Sequence, residues 1–295
     1  MFTFWHYFVF IFLFHAMRFA SSESNKEKKQ RNDPDYDFGS SSDRFSSEAN
    51  EASKGQFPYA ISVQYWGFHY CSGALLSPTW VISSGQCFSH RPEIVDGLTL
   101  VAGMVNITDP NVEERNLSKI ILHERFYVHD KCRLLTNDIA LLKPVSQFPI
   151  TSVIKPVKLP RPRQTFKGMA TLIGWTSHRF GVISLKYVKA RLLFAKRCTR
   201  NHLPVGMGYN FYYKSMICAK PIDTTITLCV GNTGSPLLYK NILIGLSSTG
   251  ANPCKTNQEK VFFGVYTKIS RYIKFINKYV QSNTGSSLNY DVAWE

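Results

Sequence analysis

The chain has 295 residues, 44% of them hydrophobic, which is enough for a large packed core and excludes a disordered protein. Its formal net charge is +15, and the charge is uneven. Residues 139–222 contain no Asp or Glu but fifteen Lys or Arg, so one part of the surface should carry a strong positive field.

Residues 1–22 are predicted to be a secretory signal peptide. An apolar run at 8–14 is followed by small residues at Ala20, Ser21 and Ser22. An uncleaved anchor is the alternative, but the run is shorter than the roughly 20 residues that a spanning helix needs. No other run is long enough to predict a transmembrane segment, so we expect a secreted, extracellular protein.

Residues 23–45 are charged and serine-rich, which predicts a disordered pro-segment or linker. A folded domain is expected over 46–281, followed by a polar C-terminal tail at 282–295. Many short runs rich in β-forming residues, separated by Gly, Pro, Asn and Ser, predict an all-β domain. The predicted strands are 60–65, 74–76, 80–83, 98–102, 120–123, 140–143, 171–173, 184–192, 215–218, 237–246 and 261–267. One helix is predicted where Ile269, Ile273, Ile276 and Val280 recur at helical spacing.

The chain has seven cysteines, an odd number that implies three disulfides and one leftover thiol in an oxidising compartment. No C-x-x-C pair occurs, so the spacing does not resemble a zinc site, and we expect no metal and no cofactor. Two sequons, at Asn106 and Asn116, are candidate N-glycosylation sites.

Three separated segments carry a resemblance to a known family. They are WVISSGQC at 80–87, NDIALL at 137–142 and CVGNTGSP at 229–236. In this order they resemble the histidine, aspartate and serine motifs of the chymotrypsin-like (trypsin) serine proteases. Further segments match the same family: GQFPY at 55–59, IGW at 173–175 and GVYTK at 264–268. The resemblance implies two packed six-stranded antiparallel β-barrels with a C-terminal α-helix.

Two of the three catalytic positions are altered. The resemblance places Gln86 at the histidine, Asp138 at the aspartate and Thr233 at the serine. The family needs the histidine to take the serine proton and the aspartate to orient the histidine. A carboxamide has no useful proton affinity near neutral pH, and a threonine hydroxyl stays un-ionised without a base. We therefore expect no peptidase activity, and we interpret Asp138 as a buried, hydrogen-bonded carboxylate.

The activation switch of the family is also altered. In the family, cleavage frees an Ile or Val amino group, which pairs with the aspartate before the serine and orders the oxyanion hole. Here the new terminus would lie near residues 46–49 (SSEA), and the partner position is Asn232. Cleavage after Arg44 stays open, but it offers no route to catalysis. His69 is interpreted as structural, and His90 as a solvated loop residue.

The resemblance also implies the disulfides, which pair Cys71 with Cys87, Cys198 with Cys218, and Cys229 with Cys254. Cys132 has no family partner, so it is either a buried inert thiol or an intermolecular bridge. The specificity pocket would have Thr227 as its floor, residues 248–250 as its wall and Gly264 behind. A threonine floor does not offer the acidic group that would bind Lys or Arg side chains.

A basic surface is the other candidate site. In the related fold, the segment around 196–200 lies near the C-terminal helix, and several blood-clotting relatives bind heparin through a surface of this kind. The candidate residues are Lys196, Arg197, Arg200, Arg271, Lys274 and Lys278. Binding of heparin-like anionic glycans and a merely solvated face both stay open here. Nucleic acid is not expected, because the chain has no nucleic-acid motif and is predicted to be exported.

Together these features predict a secreted, non-catalytic serine protease homologue. It would bind an extracellular protein (a protease, a substrate or a receptor) as a regulator, cofactor or decoy. One alternative is a weak endopeptidase with Thr233 as nucleophile. Another is a structural secretory component linked through Cys132.

Overall fold

The computed structural model describes residues 50–89, 95–129, 134–176, 183–194, 214–222, 233–250 and 264–280. The predicted signal peptide, linker and C-terminal tail lie outside these ranges. So do several candidate residues: His90, Cys132, Lys196, Arg197, Cys198, Arg200, Thr227, Cys229, Asn232 and Cys254.

The described residues form fifteen strands and one α-helix. The strands are β1 (Asn50–Glu51), β2 (Ala60–Tyr65), β3 (Phe68–Ser77), β4 (Trp80–Ser83), β5 (Leu98–Ala102), β6 (Glu113–Leu122), β7 (Tyr127–His129), β8 (Leu134–Thr136), β9 (Ala140–Pro144), β10 (Met169–Thr176), β11 (Ser184–Leu193), β12 (Met216–Pro221), β13 (Pro236–Tyr239), β14 (Ile242–Gly250) and β15 (Gly264–Lys268). Two 3-10 turns, Gly85–Phe88 and Ile269–Arg271, accompany the helix α1 (Ile273–Val280). No helix in the described part of the chain is long and apolar enough to cross a membrane.

The strands close into two antiparallel barrels. The first barrel has the strand order β2-β3-β4-β9-β6-β5. The second has the order β11-β10-β13-β14-β15-β12 and closes by pairing of β11 with β12, while β1 adds to the outside of β11. The implied architecture of two six-stranded barrels with a C-terminal helix is confirmed.

One hydrophobic cluster extends from the first barrel into the second, and a separate cluster that includes Leu172, Val188 and Ile244 lies in the second barrel. Trp80 of the first barrel and Trp175 of the second are each 1% exposed and belong to the same cluster of packed side chains. Ile273 and Ile276 of α1 pack into this cluster, which explains the helical spacing of apolar residues near the end of the chain. The core therefore fixes the barrels and the helix as one packed body.

The predicted run at 237–246 is wrong as a single strand. The structure divides it into β13 and β14, which form a hairpin. The turn between them contains Lys240 at a φ of 55°, a left-handed conformation that non-glycine residues rarely adopt. Because the turn has no Gly or Pro, its apolar flanks read as one continuous run. The very short strands β1, β7 and β8 also went unpredicted.

A disulfide joins Cys71 of β3 to Cys87 of the first 3-10 turn, with an S–S length of 2.02 Å. This is the pair that the resemblance implies next to position 86. Cys218 of β12 is also disulfide-bonded, and its implied partner lies outside the described residues. The first disulfide holds the turn that carries Gln86 against the wall of the first barrel.

We expect the double substitution Cys71→Ala and Cys87→Ala to lower the free energy of unfolding by about 3 kcal/mol, because the disulfide closes a loop of moderate length in the unfolded chain. The two cysteines are 16 residues apart. Urea denaturation of the variant and the oxidised wild type measures the difference. An unchanged midpoint and slope would show that this disulfide does not stabilise the fold.

Candidate functional site

The Asp138 carboxylate lies between the two barrels and is 1% exposed. Its Oδ1 accepts a hydrogen bond from the backbone N–H of Gln86 at 2.7 Å, and its Oδ2 accepts one from the Ser84 hydroxyl at 2.5 Å. The Ser248 hydroxyl, on β14 of the second barrel, also donates to Oδ2. Asp138 therefore links the turn of one barrel to a strand of the other.

Burial raises the pKa of Asp138, because a charged carboxylate loses its hydration there. The hydroxyls of Ser248 and Ser84 and the backbone N–H groups of Gln86 and Gly85 act in the opposite direction, since they stabilise the ionised form. Donors surround the carboxylate, as our interpretation of a buried, hydrogen-bonded Asp138 expects. Ser84 and Ser248 were not singled out as its partners from the sequence. Ser84 could have been suspected as a partner, because it lies two residues before Gln86 in the sequence.

The side chain of Gln86 makes a contact of its own with the second barrel. Its Nε2 donates a hydrogen bond to the Ser248 carbonyl oxygen at 2.7 Å. Among the described residues, no hydrogen bond joins the Gln86 carboxamide to Thr233. The side chain at the histidine position is thus bonded to the main chain of β14.

Thr233 lies just before β13 and is positioned by its backbone. The N–H of Ser72 on β3 donates to the Thr233 carbonyl oxygen at 2.8 Å, and Gly234 N–H donates to the Ser247 carbonyl oxygen at 2.8 Å. Gly234 has a φ of +81°, and a Cβ there would lie 2.2 Å from the Ser72 carbonyl oxygen. Only glycine allows the backbone at position 234 to come this close to the Ser72 carbonyl. Main-chain hydrogen bonds therefore hold this loop against the first barrel.

The structure thus brings Gln86, Asp138 and Thr233 to one junction between the barrels. The Asp138 carboxylate accepts a hydrogen bond from the backbone N–H of Gln86, and the Thr233 carbonyl oxygen accepts one from the N–H of Ser72 on β3. Of the predicted pocket wall, Ser248 is 8% exposed and is engaged by both Asp138 and Gln86. The predicted floor at Thr227 and the activation partner Asn232 lie outside the described residues.

The structure describes two histidine side chains, and the contacts given for them are with residues other than Asp138 and Thr233. Nδ1 of His69 lies 2.8 Å from the Ser62 hydroxyl, and its ring lies 5.3 Å from that of Trp175. His123 packs between the rings of Tyr272 and Phe275, at 5.4 and 4.8 Å. These contacts fit the interpretation of His69 as structural.

A second candidate site is a cavity of about 500 Å³ beside α1. Its cations come from the helix region and from the segment after β6, and a single acid, Glu124, forms a 3.1 Å ion pair with Lys278. Burial lowers the pKa of His123 in this wall, with Arg125 and Lys278 acting in the same direction against Glu124. The lining residues are His123, Glu124, Arg125, Asn137, Ser215, Arg271, Tyr272, Lys274, Phe275 and Lys278.

The cavity places three predicted basic residues, Arg271, Lys274 and Lys278, on one wall. Arg125 comes from a distant segment of the chain, so no sequence pattern links it to the other three residues. The remaining basic candidates lie outside the described residues. Of the two sequons, Asn116 is exposed on β6, whereas Asn106 is half-buried.

Two barrels that meet around these three positions define the architecture of the chymotrypsin-like serine proteases. Comparison with known families matches residues 47–276 to the family described as Trypsin. The chain therefore belongs to the trypsin family.

Relatives of this chain include a kallikrein-related peptidase and a trypsin. It is 27% identical over 243 residues to mouse kallikrein 1-related peptidase b3, covering 78% of this chain and 87% of the relative. It is 27% identical over 230 residues to pig trypsin, covering 77% of this chain and 91% of the relative.

Solved structures share the fold at lower identity. Human heparin binding protein has a TM-score of 0.63 at 21% identity, covering 81% of this chain and 98% of that one. Neuropsin, a serine protease expressed in the limbic system of mouse brain, has a TM-score of 0.65 at 23% identity, covering 78% and 98%.

We expect Asp138→Ala to lower the free energy of unfolding by about 3 kcal/mol or more, since each buried donor left without an acceptor costs about 1–3 kcal/mol. Asp138→Asn should cost far less, because its amide oxygen still accepts from Gln86 N–H and its NH₂ can donate to the two serine hydroxyls. Urea denaturation near neutral pH compares the two. Equal losses would contradict this hydrogen-bonding role.

The same pair tests the raised pKa. A carboxyl group whose pKa is higher in the folded state contributes stability that is fully present below its ordinary value of 3.8 and is lost as the pH rises through the folded value. The free energy of unfolding of the wild type should therefore fall, relative to Asp138→Asn, as the pH rises through this window. A parallel pH dependence in both proteins would contradict the assignment.

Proposed function

We propose that this protein is a secreted, non-catalytic member of the trypsin family that acts by binding an extracellular protein, namely a protease, a substrate or a receptor. One observation carries the proposal. The residue at the histidine position is a carboxamide, and its Nε2 donates to the Ser248 carbonyl oxygen at 2.7 Å. The side chain that should take a proton is instead a hydrogen-bond donor to the main chain.

The chemistry of the junction supports this role. Hydrolysis by this family requires a base that removes the proton of the nucleophile, and a carboxamide cannot accept it near neutral pH. The Asp138 carboxylate accepts from Ser84, Ser248 and Gln86, so it serves donors that have no part in moving a proton from Thr233. The group that orients the base in active relatives acts here as a structural acceptor.

The sequence supplies further support. Asn232 replaces the aspartate of the activation switch, and residues 46–49 offer no Ile or Val terminus. An oxyanion hole that depends on that ion pair would stay unordered, and this loss alone is worth several kcal/mol of transition-state stabilisation. The predicted signal peptide and the disulfides at Cys71–Cys87 and Cys218 favour the oxidising, extracellular setting.

We expect no hydrolysis of peptide or ester substrates and no labelling of Thr233 by serine-directed phosphonate probes, before or after cleavage at Arg44. The reason is the absence of a base and of the activation pair. The measurement is probe labelling with Thr233→Ala as the control. Labelling that disappears in Thr233→Ala would instead support a threonine-nucleophile endopeptidase.

Restoring two side chains should not restore activity. We expect Gln86→His with Thr233→Ser to remain close to background turnover, because Asn232 and residues 46–49 are unchanged. Adding Asn232→Asp together with an Ile-Val-Gly-Gly terminus is the matched comparison, and turnover should rise only in that protein. Efficient turnover by the double variant alone would refute the argument from the activation switch.

A second candidate function is attachment to anionic glycans, favoured by the cavity beside α1. Arg125, Arg271, Lys274 and Lys278 contribute four cations to its wall, against the single acid Glu124. Sulfate and carboxylate groups of a heparin-like chain complement such a wall.

Intermolecular linkage through Cys132 is a separate alternative, which a non-reducing gel distinguishes by a dimer band.

We expect the triple variant Arg271→Ser, Lys274→Ser and Lys278→Ser to elute from heparin at clearly lower salt than the wild type. The control variant Lys119→Ser, Lys155→Ser and Lys158→Ser removes the same charge from exposed positions elsewhere. Exposed charges are screened over about 8–10 Å at physiological salt, so each acts mainly on groups close to it. If heparin binds at this cavity, only the first variant should therefore elute earlier. Equal elution of the two variants would leave only a general effect of net charge.

A further inference from the structure

The outer face of the second barrel carries cations on adjacent strands. In the β10–β11–β12 sheet, Met169 lies opposite Arg191, and Arg191 lies opposite Lys220. The neighbouring residues Ala190 and Ala219 are fully buried, and successive side chains of a strand point to opposite faces. Arg191 and Lys220 therefore share the outward face with Met169.

Among the described residues, no acid compensates the charge of this face. Two like charges directly opposite each other across strands destabilise a sheet. Within the described part of the chain, no carboxylate forms an ion pair with Arg191, Lys220 or Lys167, and residues 139–222 contain no acid at all. Between the described cations of this face, a repulsion remains that a bound anionic surface would relieve.

Large apolar side chains are exposed at the ends of these strands. Phe194, just after β11, is 67% exposed and lies under the Lys167 ammonium group, which is 5.9 Å from its ring centroid. Ile222, just after β12, is 60% exposed, and its N–H donates to the Lys189 carbonyl oxygen. Met169 is 39% exposed. The cationic-apolar face is thus defined by Lys167, Met169, Lys189, Arg191, Phe194, Lys220 and Ile222.

We propose that this cationic-apolar face docks on the surface of a bilayer that contains anionic lipids. Lys and Arg bind lipid headgroups, while Phe, Ile and Met reach the boundary of the acyl chains. A soluble polyanion would engage only the cations and would leave the apolar side chains in water. The combination therefore favours a membrane surface over a glycan, and the proposal is independent of whether Thr233 can react.

The first experiment measures sedimentation of the full chain with vesicles of phosphatidylcholine and phosphatidylserine in equal parts. Met169→Ser, Phe194→Ser and Ile222→Ser keep the net charge and should weaken binding by about tenfold or more, because buried apolar area is lost. The control variant Phe68→Ser, Val145→Ser and Ile150→Ser removes exposed apolar side chains elsewhere and should bind like the wild type.

The second variant tests the charges. Lys167→Ser, Arg191→Ser and Lys220→Ser should weaken vesicle binding on the order of 100-fold, since each basic residue near an anionic surface contributes about 1 kcal/mol. Lys119→Ser, Lys155→Ser and Lys158→Ser is the control of equal charge. Vesicles of phosphatidylcholine alone should bind neither the wild type nor any variant.

Heparin affinity and fluorescence distinguish the outcomes. The apolar variant should keep wild-type retention on heparin, and a parallel loss on heparin and vesicles would instead indicate a general polyanion site. A Phe194→Trp variant should show quenching by brominated acyl chains in the anionic vesicles, measured against the wild type. Absence of that quenching, or equal vesicle binding by the apolar variant and its control, would overturn the proposal.

Discussion

Burying the Asp138 carboxylate between the barrels removes it from water, and the fold offsets that cost with donors from both sides. Ser84 and the backbone N–H of Gln86 come from the first barrel, and Ser248 comes from the second. The Thr267 hydroxyl also donates to the Asp138 carbonyl oxygen at 2.8 Å. The junction depends on this carboxylate whether or not any reaction takes place there.

Sequence reasoning predicted the barrels well because their strands are short, apolar and bounded by turn residues. It predicted β2, β4 and β5 at their observed bounds, but it merged β13 and β14, whose turn at Lys240 carries no Gly or Pro. Gln86, Asp138 and Thr233 were recognisable by motif. The bond from Gln86 to the Ser248 carbonyl oxygen was not, because 162 residues separate the partners and only the closed fold brings them together.

Charge explains the two candidate surfaces in different ways. Beside α1, four cations line a cavity, and the ion pair of Glu124 with Lys278 partly balances their charge. On the second barrel, Arg191 and Lys220 face each other without a described acid, and exposed apolar side chains lie among them. The sequence showed the acid-free stretch at 139–222, but only the strand register shows which of its cations share a face.

Main-chain contacts hold the loop at Gly234, and they do not depend on which side chains occupy positions 86 and 233. The contacts that hold this loop use main-chain atoms of Ser72, Thr233 and Ser247, and the bond that fixes the turn at position 86 uses its backbone N–H. The side chains at positions 86 and 233 can therefore change while these tethers persist. The contacts of these two positions that hold the barrels together are therefore made largely by main-chain atoms, which every residue type except proline supplies.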